Sequence, residues 1–90
     1  MKRREALILE AGGERFRLYY DSEVPQVLHI AYRHATTPEE AIVTFFDGTT
    51  EWEEQYRRFR TETPSHVLLW ARHSRDGTVV VISCFRQGDE

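Results

Sequence analysis

Four histidines, at positions 29, 34, 66 and 73, and the arginines near the last two are the residues best suited to chemistry in this 90-residue chain. Cleaving a phosphodiester without a metal needs a proton acceptor of near-neutral pKa and cations that hold the phosphate as charge develops. His66, His73, Arg60, Arg72 and Arg86 supply those types, and they meet if the strands carrying them lie side by side. Arg72, His73 and Arg75 suit the solvated end of a hairpin equally well. His29 and His34 are five residues apart, so on a helix they diverge by about 140° and cannot chelate as an i, i+4 pair does. With one cysteine and no His-x3-His, no metal site and no cofactor are expected. No Gly-rich phosphate loop, nucleophile elbow or kinase signature is present. Trp52, Tyr56, Phe59 and Trp70 are able to stack on bases, but aromatics at such spacing more often build a core.

The elements that must position these residues are organised around Ser65–Arg86. Two apolar runs, His66–Arg72 and Thr78–Arg86, flank an Asp76-Gly77 turn, and Asp-Gly between β-favouring runs is a strong hairpin signal. Val79-Val80-Val81-Ile82 is apolar on both faces, as in a strand covered on both sides. Alternation places Leu68, Trp70, Val80 and Ile82, continued by Cys84, on one of those faces. Two short helices can cover only the other, so this row is a candidate interface for a second copy or a protein partner. Cys84 itself reads as a small buried hydrophobe rather than a reactive thiol.

Gly12-Gly13 sets a second hairpin over residues 5–20, with Ala11 facing Glu14, Leu9 facing Phe16 and Leu7 facing Leu18. On that register Leu7, Leu9, Phe16 and Leu18 share a face while Glu10 pairs with Arg15 on the other, so this hairpin belongs toward a sheet edge. Asp21-Ser22 reads as a helix start, with Val24, Val27, Leu28 and Ala31 at helical spacing to about His34. Thr37 caps a clearer helix over 38–47, with Pro38 in its first turn, Glu40 completing a capping box and Gly48 as its stop. Residues 49–63 fit two templates; a helical turn at 51–55 followed by a strand over 56–62 reconciles them.

Ninety residues make one domain, residues 1–90, with 40% hydrophobic and 30% charged residues. No apolar run approaches a membrane span or a signal-peptide core, and a cytoplasmic location is the expectation. The net charge of −3 weighs against RNA as a general partner. Acids gather at Glu39-Glu40 and Glu51–Glu54, bases at Lys2–Arg4, Arg57–Arg60 and Arg72–Arg75.

A helix carrying His29 and Arg33-His34, a following Thr-Pro-Glu-Glu-Ala helix ending in Phe-Asp-Gly, then an Arg/Thr-rich stretch and a terminal Asp-Gly hairpin resemble the BrnT-type toxins. Those belong with the RelE-like ribonucleases and have short prokaryotic relatives of unassigned activity. The resemblance covers residues 29–86 and rests on order and spacing. It implies a ribonuclease using His66, Arg60, Arg72, His73 and Arg86. The toxins are basic whereas this chain is acidic, which favours an inactive or differently used relative. The expected fold is α+β, an antiparallel sheet of two hairpins (5–20 and 66–86) plus 56–62, packed on two helices near 22–34 and 38–47. The expected function is a small prokaryotic or phage interaction protein of the inhibitor, immunity or antitoxin-like kind, ahead of a metal-independent ribonuclease and a self-associating domain without ligand.

Overall fold

Gly12 and Gly13 both have positive φ, +56° and +81°, in the computed structural model, which describes residues 5–89. That backbone twist matches the right-handed twist of two strands joined by two residues. It joins β1 (Ala6–Ala11) to β2 (Glu14–Tyr19) in the expected register, Ala11 opposite Glu14 and Leu7 opposite Leu18. Arg15 donates to Glu10 across the exposed face at 3.0 Å.

The segment after β2 is not helical from its start, as the Asp21-Ser22 cap and the apolar spacing that follows predict. Asp21 caps a tight loop instead: its Oδ1 accepts from the N–H groups of Glu23 (2.8 Å) and Val24 (3.3 Å), while Tyr20 bridges to Leu28. A carboxylate satisfied inside its own loop leaves no helix start there, and α1 runs only from His29 to His34. By contrast α2 (Pro38–Asp47) has the expected boundaries. Thr37 Oγ1 accepts from Glu40 N–H, and Glu40 accepts in return from Thr37 N–H. Between the helices Thr36, fully buried, lies 2.8 Å from the Cys84 carbonyl and 3.0 Å from that of Ile30, tying the linker to the sheet.

Four further strands complete the chain: β3 (Thr49–Glu53), β4 (Arg58–Glu62), β5 (His66–Arg72) and β6 (Val79–Arg86). The helical turn expected at 51–55 is strand up to Glu53, because Trp52 pairs across with Phe59 instead of stacking along a helix on Tyr56. Tyr56 falls in the turn, where Arg57 takes φ +52°. The six strands form one sheet in the order β1-β2-β6-β5-β4-β3. All neighbours are antiparallel except β2 and β6, which run parallel over Phe16–Leu18 and Val79–Val81. The protein is thus α+β with a mixed sheet rather than the purely antiparallel one expected. A hairpin's local pattern sets its own register and says nothing about which edge it joins, or in which direction.

A bulge in β6 decides which side chains face the helices. Leu69 opposes Ser83, but Trp70 opposes Val81, so Ile82 is the extra residue. The phase shift puts Val79 and Val81 on the same side as Cys84. Phe16, Leu18, Ile30, Ala41, Leu68 and Trp70 complete that core beneath the two helices. Val67, Leu69 and Phe85, out of phase with it, make a second buried cluster on the other face. Each large side chain in these clusters contributes roughly 1.5–3 kcal/mol by leaving water. No helix among the described residues is long and apolar enough to cross a membrane.

Candidate functional site

The structure does not bring the histidine–arginine set together. His66 begins β5 opposite Arg86, with its Nδ1 2.9 Å from Ser65 Oγ and its Nε2 3.1 Å from Glu40 Oε2. The latter is a close approach without hydrogen-bond alignment. Arg72 ends the same strand, about 20 Å away at strand rise. There it grips Glu14 with both terminal nitrogens, at 2.7 and 3.0 Å, and this contact holds the Glu14 carboxyl below the usual range. His73 turns inward on its own loop, accepting from Arg75 N–H at 3.2 Å. Arg60 points from the opposite face of β4 and donates to Glu62 at 3.1 Å. These residues serve three separate places, each facing a carboxylate.

The predicted apolar row is also divided. Leu68 and Trp70 are core residues under the helices, Val80 is half-buried and opposite Ala71, and Ile82 is exposed at the bulge. Strict alternation cannot anticipate one extra residue, and that residue separates the four. Cys84 is fully buried as expected; burial, followed by the nearby Glu40 charge, pushes its thiol up to about 11 despite a hydrogen bond from Thr36.

What the sheet does assemble is a continuous aromatic row. Trp52, Phe59 and Trp70 are cross-strand neighbours on β3, β4 and β5, with ring centroids 4.9 and 4.5 Å apart. Phe45 of α2 meets Trp70 at 4.9 Å and Phe46 at 5.0 Å, and Phe46 reaches Phe16 at 6.0 Å. The inner indole is satisfied: Trp70 Nε1 donates to Thr61 Oγ1 at 2.8 Å, itself 2.7 Å from Thr50 Oγ1. The two ends, Trp52 and Phe46, are each 46% exposed. Trp52 lies on β3, an outer strand of the sheet, among Glu51, Glu53 and Glu54, and its indole N–H donates to the Glu54 carboxylate. Glu53 is held by Arg58 at 2.7 Å, and Arg58 in turn lies over the Tyr56 ring at 4.2 Å. An exposed tryptophan backed by a rigid stack, beside an open strand edge and carboxylates, suits docking of an extended chain.

A second polar constellation was invisible in the sequence. Asp21, read there as a helix cap, has a side chain only 1% exposed and also accepts from His29 Nδ1 (3.0 Å) and Arg33 Nε (3.3 Å). Burial alone would push its carboxyl up, but the bonds from Glu23 N–H, His29, Val24 N–H and Arg33 outweigh that and hold it at about 2. Arg33 also donates to Glu23 at 2.6 Å. With Nδ1–H donated to a carboxylate, a neutral His29 presents Nε2 as an acceptor. A cleft of about 220 Å³ lined by Tyr19, His29 and Val80–Ile82 lies beside it. The i, i+4 spacing of His29 and Arg33 was the only available signal, and nothing local links it to Asp21. Among the described residues no group of three or more His, Cys, Asp and Glu side chains is placed to hold a metal ion.

Compared with protein families, curated proteins and solved structures, the chain matches none.

Proposed function

We propose that the protein is a small binding protein of the inhibitor, immunity or antitoxin-like kind. Its β3 edge accepts an extended basic segment of a protein partner. The observation that carries this reading is the half-exposed Trp52 at the end of the aromatic row, on an outer strand bearing Glu51 and Glu53. Backbone pairing along such an edge supplies affinity, the indole supplies an anchor, and the carboxylates select basic side chains. The excess of acids over bases in the whole chain favours the same class of partner. A pull-down from the native host, with and without RNase, tests it. Recovery of a protein that survives RNase and is lost with Trp52→Ala is expected. Recovery that depends on RNA, or that Trp52→Ala leaves intact, would overturn it.

A metal-independent ribonuclease is the second reading, and one observation favours it: the Asp21–His29 pair beside Arg33. The pair has the proton acceptor and the cation that such chemistry needs, at a place other than the His66 and Arg72 set. Specific RNA cleavage by purified protein, abolished by His29→Ala, would establish it over the first.

A further inference from the structure

The other outer strand of the sheet is unlike β3. β1 carries Ala6-Leu7-Ile8-Leu9 with Glu10 as its only charge, and that charge is matched within the chain by Arg15 at 3.0 Å. Among the described residues no strand lies beyond β1. Its two-residue loop makes Ala11 and Glu14 the closing hydrogen-bonded pair, so Leu9 and Leu7 also bond inward to β2. By alternation Ala6, Ile8 and Glu10 turn their N–H and C=O groups to the open side. A six-residue apolar strand left in that state is a template for pairing.

We propose that this edge is filled by β1 of a second copy, giving a two-fold dimer in which the two sheets become one. A two-fold axis requires antiparallel pairing and sets each residue against its mirror position. Only registers that oppose outward-facing residues make hydrogen bonds, and the one centred on Ile8 uses all three of them. Ile8 then meets Ile8 of the second copy, and Ala6 meets its Glu10. On the helix side Leu7 meets its Leu9, and both of these leucines are only partly buried in the single chain. The Ile8 side chain, 44% exposed, gains an apolar neighbour, and the two Glu10 residues stay well apart. The same operation on β3 fails, because the register centred on Glu51 opposes Glu51 to itself and like charges across strands are destabilising. Self-complementarity therefore selects β1 for a copy of this chain.

Edge pairing buries less than a standard interface, so the dimer is concentration-dependent, in the micromolar range. Sedimentation equilibrium of the full chain, from low-micromolar to submillimolar protein, measures it. Wild type should shift from monomer to dimer over that range. Ile8→Lys, which places two cations at the axis, should weaken association at least about tenfold, while Glu51→Ala leaves it unchanged. Because the contact is apolar, added salt should not dissociate it, whereas binding of a basic partner at β3 should weaken in salt. That contrast keeps this dimer distinguishable from the function proposed above. Wild type that stays monomeric throughout, or a folded Ile8→Lys that still dimerises as strongly, overturns the proposal. Should Ile8→Lys not fold, Ile8→Thr keeps the β-branched shape and removes apolar contact; an unchanged dissociation constant for it overturns the proposal as well.

Discussion

The two outer strands of this sheet manage the same physical hazard in opposite ways. Among the described residues, each ends the sheet with a row of backbone groups that no further strand covers. β3 sets Glu51 and Glu53 about an exposed tryptophan, an arrangement that disfavours a copy of itself and suits the proposed strand of opposite charge. β1 is nearly uncharged, and its one carboxylate is matched by Arg15, so within Ala6–Ala11 no unmatched charge opposes its own twin. A partner at one edge and a second copy at the other are compatible, because four strands separate them. On these two proposals, the placement of charge along an edge is what distinguishes the occupants.

The sharpest way to break the contrast is to remove its common foundation. Trp70 lies beneath the β3 shelf and in the shared core, so Trp70→Ala should cost about 3–5 kcal/mol, most of it as an unfilled cavity. Chemical denaturation would show a lower midpoint, and both edges would be lost with the fold. A smaller loss of about 1–3 kcal/mol is expected from Gly12→Ala. Its φ is positive, and an added Cβ would come 2.6 Å from the Phe46 ring. Gly13→Ala meets nothing within 4 Å and should cost less, about 1 kcal/mol, from φ strain alone. The difference between the two variants measures how firmly Phe46 clamps the β1–β2 turn.

Acid separates the hairpin that ends in the Asp21 loop from the rest. The folded-state pKa of Asp21 is about 2 against an ordinary 3.8, so its stabilisation is complete above about 3.8 and is lost as pH falls toward 2. Asp21→Asn should lower the thermal midpoint at neutral pH and flatten its fall over that acid window. His34 acts at a higher pH. Burial, then the neighbouring His29 and Arg33, lowers its pKa, so the unfolded chain takes up the proton first and stability declines as pH drops below about 6.5. His34→Gln should reduce that slope. The smallest changes in stability are expected for Glu51→Ala, within about 0.5 kcal/mol because the position is exposed, and for Ile8→Lys, about 1 kcal/mol because the new cation lies opposite Arg17 on β2. Their effects should appear in association and partner binding instead.

Residues 6–19 and 37–48 are legible from the sequence alone. Gly12-Gly13 admits one hairpin register in which Leu7, Leu9, Phe16 and Leu18 share a face, and Thr37-Pro38 with Glu40 admits one helix start. The candidate site is much less legible. Trp52 stands out in the sequence for its spacing to Tyr56 and Phe59, which suggests a helix, whereas its partner is Phe59 across a turn. Asp21 resembles a cap for the residues after it, and its bonds to His29 and Arg33 exist only because the chain doubles back between Tyr20 and Leu28.

The sequence by itself determined those features whose energies are settled within a few residues: positive-φ glycines, a capping box, the Asp-Gly turn, and the apolar character of β5 and β6. Only the tertiary structure decided the parallel contact of β2 with β6, the bulge at Ile82 that sets Leu68 and Trp70 apart from Val80 and Ile82, and the distance between His66 and Arg72. The reason is physical. Local signals report the conformation of a segment, but the choice of neighbour is made by burial and backbone pairing between segments far apart in the chain. A two-residue alternation carries no mark of where an extra residue will shift it.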